Sequence, residues 1–248
     1  MNLLKICLFT DVHLPVEGEK AMDVDTYLNF NKVLSEISKE NPDHIILAGD
    51  VCFRDSILET YSWVKQRLDN LKIPYHVVVG NHDDSNDLHQ IIHPDIPFNT
   101  ISNELYYVKY INQKAFIFLD TGRRVMSEEQ WQWLESQLEK GHGMIVMHHP
   151  PHYASVPHMD HQYAFQQIDR FMNLVHSQNH EINIFTGHYH VERTIRNKNV
   201  TIWITPSCFV QIDDRYEEFR ADHHYPCYRN ILIDDENGHI ITTVKYLY

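Results

Sequence analysis

The segment LLKICLFTDVH, residues 3–13, is an apolar run that ends abruptly at Asp11 and His13. Apolar runs of this length predict a buried strand, which places the polar pair directly at the carboxyl end of that strand. The pattern returns in HIILAGD (44–50), YHVVVGNHD (75–83), MIVMHHP (144–150) and INIFTGHYH (182–190). Repeated strand ends that carry Asp, Asn or His predict a sheet edge at which these side chains meet.

The first half of the chain alternates strands with helices. Asp25 and Thr26 cap a predicted helix that ends at Asn41-Pro42, and residues 56–71 again show apolar positions at helical spacing. Parallel strands joined by right-handed crossovers follow from this order, and ligands of such sheets gather beyond the carboxyl ends of the strands.

The second half predicts further strands and two more helices. Residues 84–102 show no periodicity and predict a loop over the site, as do residues 150–160. Ser127 with Gln130 predicts a capping box, and another helix is predicted over residues 163–177. Predicted strands cover 105–108, 115–119, 144–147, 182–185, 193–195, 200–204, 230–233 and 239–246, the last two joined by an Asn237-Gly238 turn. The expected fold is α/β, a four-layer αββα sandwich of two mixed β-sheets flanked by helices, in a single domain over 1–248.

Composition limits the partners. The chain has 248 residues, with 34 acidic against 21 basic side chains and a net charge of −13. This charge disfavours nucleic acid polymers and anionic membranes. Four widely spaced cysteines indicate neither a zinc knuckle nor a disulfide framework. The start of the chain runs straight into Asp11, unlike a signal peptide or membrane span, so we expect a cytoplasmic protein.

The residue types indicate a metal site without thiolates. Residues i and i+2 of a strand point to one side, so Asp11 with His13, and His188 with His190, are expected to present paired ligands. Any one such pair is more often an ordinary polar strand terminus, but the combination favours metal binding. Asp50 can bridge two ions through its two oxygens. A shell of imidazole and oxygen suits Mn²⁺, Fe²⁺/Fe³⁺ or Zn²⁺.

The ligand charges indicate the reaction. Two divalent ions bring four positive charges, and two carboxylates with one hydroxide remove three, so the pocket stays positive. A phosphodiester would bind there and be attacked by a metal-bound hydroxide. His82 would contact the phosphate or protonate the leaving oxygen. Asp83 either orients His82 or is a solvated carboxylate, and His149 either orients a ligand or packs on the neighbouring prolines.

These motifs resemble those of the calcineurin-like metallophosphoesterases: D-x-H, G-D, G-N-H-[DE], H and G-H-x-H, in that order. The resemblance implies two metal ions and assigns their ligands. One ion would take Asp11, His13, Asp50 and His190, and the other Asp50, Asn81, His148 and His188. It also implies that His82 contacts the substrate, with Asn81 and Asp83 beside it.

Within that family the chain is similar to the bacterial class III cyclic nucleotide phosphodiesterases. The similar segments are 127–138, 205–211 and Tyr228-Arg229. The resemblance implies hydrolysis of 3′,5′-cyclic AMP to 5′-AMP. The alternatives are a 2′,3′-cyclic nucleotide or a glycerophosphodiester as substrate, a phosphomonoesterase of the same fold, or a non-catalytic module that binds metal and partners. Aromatic residues within 153–163 and 211–225 would either hold the base or form a homodimer contact.

Overall fold

The structure, a computed structural model, describes residues 3–234 and 236–248. The strands are β1 (Leu3–Phe9), β2 (His44–Leu47), β3 (Tyr75–Val77), β4 (Tyr107–Ile111), β5 (Lys114–Phe118), β6 (Met144–Val146), β7 (Ile182–Thr186), β8 (Arg193–Asn197), β9 (Val200–Ile204), β10 (Cys227–Asp234) and β11 (Ile240–Tyr246). The helices are α1 (Thr26–Glu40), α2 (Leu58–Asn70), α3 (Ser85–Ile92), α4 (Glu128–Glu139), α5 (Pro157–Gln162) and α6 (Ile168–His176).

The first sheet has the order β11-β10-β1-β2-β3. Strands β1, β2 and β3 are parallel, as the alternating strand and helix pattern predicts. The tail of the chain completes this sheet, because β10 pairs antiparallel with β1 and β11 pairs antiparallel with β10. The predicted carboxyl-end edge therefore lies where Thr10, Ala48 and Val78 leave their strands.

The second sheet has the order β4-β5-β6-β7-β9-β8. Its central strands β5, β6, β7 and β9 are parallel, while β4 and β8 are antiparallel edge strands. Both sheets are mixed, and each presents the carboxyl ends of central parallel strands at one edge.

The second sheet lies between two hydrophobic cores, and successive side chains of its strands point alternately into one core and the other. Phe116 and Phe118 of β5 belong to the core that also contains the side chains of the first sheet, and α1 and α2 pack into that same core. Ile117, on the other face of the same strand, packs with Trp131 of α4 and Phe171 of α6. Helices therefore cover the outer face of each sheet, and the predicted four-layer sandwich is confirmed.

The helix caps follow local sequence. The Asp25 carboxylate accepts from Leu28 N at 2.9 Å and begins α1, which ends at Asn41 in the left-handed conformation. The Ser127 hydroxyl accepts from Gln130 N and begins α4. The expected capping box is wrong in one respect. The Gln130 side chain binds the Asp120 backbone instead of returning to Ser127.

Two predicted loops contain helices. Asp84 caps α3 by accepting from two backbone N–H groups, and Leu88 and Ile92 bury one face of that helix, so the loop predicted over 84–102 is wrong in its first half. Helix α5, with Pro157 in its first turn, begins within the loop predicted over 150–160 and ends before the helix predicted from residue 163. The helix expected from residue 163 begins only at Ile168. Short helices of six to nine residues leave too few turns for periodicity to reveal them.

No helix within residues 3–234 and 236–248 has both the length and the apolar character needed to span a bilayer.

Candidate metal centre

The residues that end the apolar runs meet at one place between the two sheets. Asp11, Asp50 and Asn81 follow β1, β2 and β3 of the first sheet, while His148 and His188 follow β6 and β7 of the second. The side chains that sequence analysis proposed as carboxylate and imidazole ligands are all buried: Asp11, His13, Asp50, His148, His188 and His190. The edge predicted from one sheet is thus shared by two.

One group of ligand atoms consists of Asp11, His13 and His190. The Nε2 of His190 lies 3.2 Å from Asp11 Oδ1 and 3.2 Å from His13 Nε2. His13 Nε2 lies 3.8 Å from the same Asp11 oxygen. Two ligands about 2.0–2.2 Å from one tetrahedral zinc-sized ion lie about 3–3.5 Å apart, so these atoms are spaced to share a cation.

A second group consists of Asp50, His148 and His188. His148 Nε2 lies 3.3 Å from Asp50 Oδ2, and His13 Nε2 of the first group lies 3.6 Å from that same oxygen. Asp50 Oδ2 therefore stands between the two groups. Its other oxygen, Oδ1, accepts from His82 N at 2.9 Å, which fixes the carboxylate in this position.

Several buried polar atoms at this centre have no protein partner. They include Asp11 Oδ1, Asn81 Oδ1, His148 Nε2 and His13 Nδ1. An unpaired buried polar atom is costly, whereas bound cations would satisfy the first three of these atoms. The other Asp11 oxygen is held by Thr10 Oγ1 at 2.7 Å and His188 N at 2.9 Å. The donor set therefore fits divalent cations, with one oxygen of each carboxylate held and the other left open.

Backbone carbonyls set the orientation of the histidine rings. Nδ1 of His148 donates to Ala48 O, and Nδ1 of His190 donates to Val210 O, each at 2.7 Å. In His188 the roles are reversed, because Nε2 lies 3.0 Å from Tyr163 O. Each contact occupies one ring nitrogen and leaves the other as a lone pair for a metal, which is the usual arrangement around ligating histidines.

The backbone at these residues is left-handed and not extended. Asp11, His13 and Asp50 have φ of 54°, 46° and 53°, and His188 and His190 have 66° and 52°. The paired ligands therefore converge through tight turns, and the expectation that strand alternation would align them is wrong. Non-glycine residues in this region are uncommon and cluster at functional sites.

Glycines allow the loops to approach each other. A Cβ on Gly187 would lie 2.0 Å from Thr10 Oγ1 and 2.6 Å from Asp11 Oδ2. A Cβ on Gly80 would lie 2.2 Å from both the backbone N and Oδ1 of Asp50. These glycines let the ligand-bearing turns of different strands come into contact.

Charges within the cluster oppose the effect of burial. Burial favours the neutral forms of Asp11 and Asp50, but the neighbouring histidines lower the pKa of Asp11 to about 2 and that of Asp50 well below its usual range. Burial also disfavours protonated His148, yet Asp50 and Asp11 raise its pKa to about 9. In His13 and His188 burial prevails and lowers the pKa to about 3. Before a cation binds, the carboxylates therefore hold a proton on His148.

His82 lies beside the centre and is only partly buried. Its Nδ1 lies 2.9 Å from the Arg54 carbonyl and its ring packs edge-on against His13 at 5.1 Å. It also groups with His13 and Asp50. Within the described residues, the hydrogen bonds of the neighbouring Asp83 carboxylate go to other groups and not to this ring.

The Asp83 carboxylate joins two ligand loops. It accepts from Val51 N at 3.1 Å, Gly80 N at 2.9 Å and Tyr61 Oη at 3.1 Å. Burial, followed by the nearby charge of Asp50, raises the pKa of Asp83 to about 6. It is neither a solvated carboxylate nor a partner of the imidazole of His82. Its contacts hold the Asp50 and Asn81 loops together.

His149 is fully buried against the ligands. Its ring lies 4.1 Å from the ring of His188, and its Nδ1 lies 3.1 Å from Thr121 Oγ1. Of the two alternatives raised by the sequence, contact with a ligand is the one observed. His149 supports the ring of His188.

A cavity of about 340 Å³ opens above the centre. His13, Asp50, Asn81, His82, His188 and His190 form its floor. Sequence analysis missed several residues of its walls: Met22, Phe53, Arg54, Phe209 and Val210. His158, Tyr163 and Phe219, from the loops singled out in the sequence, also line it. The walls are mainly apolar and aromatic.

Comparison with known proteins identifies the family of this chain. The model of the calcineurin-like phosphoesterase family matches residues 4–192. The chain belongs to this family. The match confirms the predicted family and the predicted class of enzyme. The Asp and His clusters are suited to binding divalent metals.

Curated relatives carry phosphodiesterase names. A probable cyclic nucleotide phosphodiesterase of Fibrobacter succinogenes is 28% identical over 93% of this chain and 90% of its own length. A probable glycerophosphodiester phosphodiesterase of Arcobacter nitrofigilis is 28% identical over 83% of this chain and 80% of its own. A 3′,5′-cyclic adenosine monophosphate phosphodiesterase of Vibrio vulnificus is 23% identical over 99% and 91%.

The fold matches that of solved relatives. A dimetal phosphatase from Danio rerio superimposes with a TM-score of 0.67 at 15% identity, over 96% of this chain and 98% of that one. At 15% identity, this similarity shows a shared fold and nothing about activity.

Proposed function

We propose that this protein hydrolyses 3′,5′-cyclic AMP to 5′-AMP at a dinuclear metal centre. The observation that carries the proposal is the position of Asp50 Oδ2, which is 3.6 Å from His13 Nε2 and 3.3 Å from His148 Nε2 and so stands between two ligand groups. A shared carboxylate is the feature that a pair of ions requires. Asn81, with its unpartnered oxygen, completes the second group.

Residues of this chain would position the substrate and transfer protons to it. A bound metal pair supplies Lewis-acid activation of the phosphoryl group and of water. The Arg54 carbonyl can only accept, so it holds the proton of His82 on Nδ1. The other nitrogen, Nε2, is then directed away from Arg54. When it also carries a proton, so that the ring is an imidazolium, it can donate to a phosphoryl oxygen or pass that proton to the leaving O3′ and leave the ring neutral. Asp83 acts on this step indirectly, through the two loops that it joins.

We propose Mn²⁺, Fe²⁺/Fe³⁺ or Zn²⁺ as the ions, since neutral imidazole with carboxylate and amide oxygen suits these metals. The four cysteines are buried free thiols, which supports a cytoplasmic setting. Residues 1–248 would form one catalytic domain, because β10 and β11, from the tail of the chain, complete the sheet that β1, β2 and β3 begin.

A substrate panel tests the proposal. Purified protein loaded with Mn²⁺ is assayed with 3′,5′-cyclic AMP, 3′,5′-cyclic GMP, 2′,3′-cyclic AMP and glycerophosphoethanolamine. We expect the highest kcat/KM with 3′,5′-cyclic AMP and 5′-AMP as the sole product. Preference for glycerophosphoethanolamine would contradict cyclic AMP as the substrate and would instead indicate glycerophosphodiesters, the class named for the Arcobacter relative. No turnover of any diester with Mn²⁺, Fe²⁺ or Zn²⁺ would refute the enzymatic proposal.

A further inference from the structure

We propose that an aromatic cleft beside the metal centre holds the purine of the substrate and selects for it. The cleft consists of Phe53, Phe209, His158 and Phe219, all of which line the cavity whose floor carries the metal ligands. The inference rests on the proposed function and adds the residues that would read the part of the substrate away from the phosphate.

One side of the cleft is rigid. The rings of Phe53 and Phe209 meet edge to face with centroids 5.7 Å apart, and Phe209 is only 4% exposed. Ala21 and Val210 pack with them in a small separate hydrophobic cluster. Phe209 also lies 5.3 Å from the ring of His13. A flat ligand placed against this pair would therefore be adjacent to a metal ligand.

The other side is more open. The His158 ring lies 5.8 Å from Phe219 and 5.3 Å from Tyr163, and its Nδ1 is 3.1 Å from the carbonyl of Glu217. Phe219 and Tyr163 are each 40% exposed, so they can still gain contacts when a ligand enters. A partly exposed aromatic ring at a cavity rim is suited to stacking.

Both sides are tied to the metal ligands through the backbone. Val210, next to Phe209, offers the carbonyl that holds His190 at 2.7 Å. Tyr163, which contacts His158, offers the carbonyl 3.0 Å from His188. The position of the cleft relative to the proposed metal ligands is therefore set by the same contacts that orient those ligands, as recognition of a substrate with a phosphate and a rigid ring requires.

The chemistry of the cleft favours an aromatic substituent over a glycerol. Glycerol offers hydroxyl groups that apolar walls cannot satisfy, whereas a nucleobase offers a π-face to stack on aromatic rings. Among the described residues that line the cavity, the one Lys or Arg is Arg54, whose guanidinium lies 5.3 Å from the Phe53 ring centroid. This places a positive charge beside the aromatic wall, where it can meet the phosphate or stack on the base.

The test compares Phe219→Ala, Phe219→Trp and wild type in the metal-loaded protein. Tyr110→Ala, at a 61% exposed ring on the outer strand β4, is the matched control. For each, kcat and KM are measured with 3′,5′-cyclic AMP and with glycerophosphoethanolamine, which has no ring. Binding is measured separately by the fluorescence quenching of 1,N6-etheno-cyclic AMP in metal-free protein.

We expect Phe219→Ala to lower the ratio of kcat/KM for cyclic AMP to that for the ring-free diester by about tenfold or more, chiefly through KM. Phe219→Trp retains the ratio, Tyr110→Ala does not change it, and quenching weakens in Phe219→Ala alone. An unchanged ratio with unchanged quenching would overturn the cleft. Equal loss for both substrates would also overturn it. Wild type that quenches but hydrolyses neither substrate would refute the proposed function and leave the cleft supported.

Discussion

The protein contains two buried histidine clusters that differ in what their nitrogens face. The metal centre gathers His13, His148 and His190 around two carboxylates. The second cluster, which we call the core histidine cluster, consists of His44, His76 and His93, which are 4%, 6% and 7% exposed. Its rings pack on each other at 5.2 and 5.3 Å in the main hydrophobic core.

In the core histidine cluster, one nitrogen each of His76 and His93 contacts a group of the protein, whereas His44 Nε2 is buried without a hydrogen-bond partner in the described part of the chain. His93 Nε2 accepts from Val77 N at 2.9 Å, and His76 Nδ1 lies 3.2 Å from the Tyr107 hydroxyl. No carboxylate of the described residues joins these rings in a group spaced for a metal. Strand β2 illustrates the contrast, because it begins with His44 and is followed by Asp50. Abundant histidine alone does not make a metal site. Lone pairs that converge with carboxylates do.

The largest effect is expected from Asp50→Asn. An amide cannot bridge two cations with the strength of a carboxylate, so we expect the second ion to be lost and kcat/KM for the best diester to fall by about a thousandfold or more. Metal analysis by mass spectrometry, with kinetics, measures both. The matched variant His93→Gln, in the core histidine cluster, retains the metal content of wild type. Equal metal loss in both variants would remove the distinction between the clusters.

His82→Ala separates substrate contact from metal binding. We expect kcat to fall by about 10²–10⁴-fold, the range for loss of a general acid, with the metal content unchanged. Kinetics and metal analysis on the same sample check this. If the ions leave with the imidazole, His82 is itself a ligand, as its grouping with His13 and Asp50 allows.

Acidity should weaken cation binding at the metal centre. Asp50 and Asp11 outweigh burial and raise the pKa of His148 to about 9, so below this pH a cation must displace one proton. The apparent Mn²⁺ affinity should therefore rise about tenfold per pH unit between pH 6.5 and 8.5. Calorimetric titrations in buffers of different ionisation enthalpy would detect the released proton. An affinity independent of pH would contradict this charge arrangement.

The smallest effect concerns the core histidine cluster and the free energy of unfolding. Burial lowers the pKa of His44 to about 4, so the folded state favours the neutral ring. The unfolded chain takes up the proton near pH 6.5, hence stability is retained above that pH and lost as the pH falls towards 4. Wild type should therefore lose free energy of unfolding between pH 8 and pH 5. In metal-free protein, His44→Phe should lose about 2 kcal/mol less than wild type over this range.

Urea unfolding at the two pH values measures that difference. His239→Phe, at an exposed position, is the control and should show the acid loss of wild type. Identical acid loss in all three proteins would assign the sensitivity to groups other than His44, among them His76 and His93, whose pKa values burial also lowers.

The sequence predicts the candidate metal centre because the proposed ligands follow strands. Asp11, Asp50 and His188 are each placed by an apolar run, so their meeting follows from sheet topology alone. The left-handed turns at these residues are hidden, since no local pattern distinguishes them from strand ends.

The cleft and the core histidine cluster are hidden for another reason. Phe53 lies far from Phe209 and Phe219 in the chain, and only the tertiary structure brings it to the same cavity. His44 and His76 occupy strand positions where a polar residue suggests exposure. Their burial depends on partners such as Tyr107 that come from the other sheet.

Electron paramagnetic resonance of the protein loaded with two equivalents of Mn²⁺ tests the shared role of Asp50 most directly. Two ions bridged by one carboxylate are predicted to give a spin-coupled spectrum of a Mn²⁺ pair, which Asp50→Asn converts to the signal of isolated ions. Isolated six-line signals in the wild type at full occupancy would contradict a dinuclear centre.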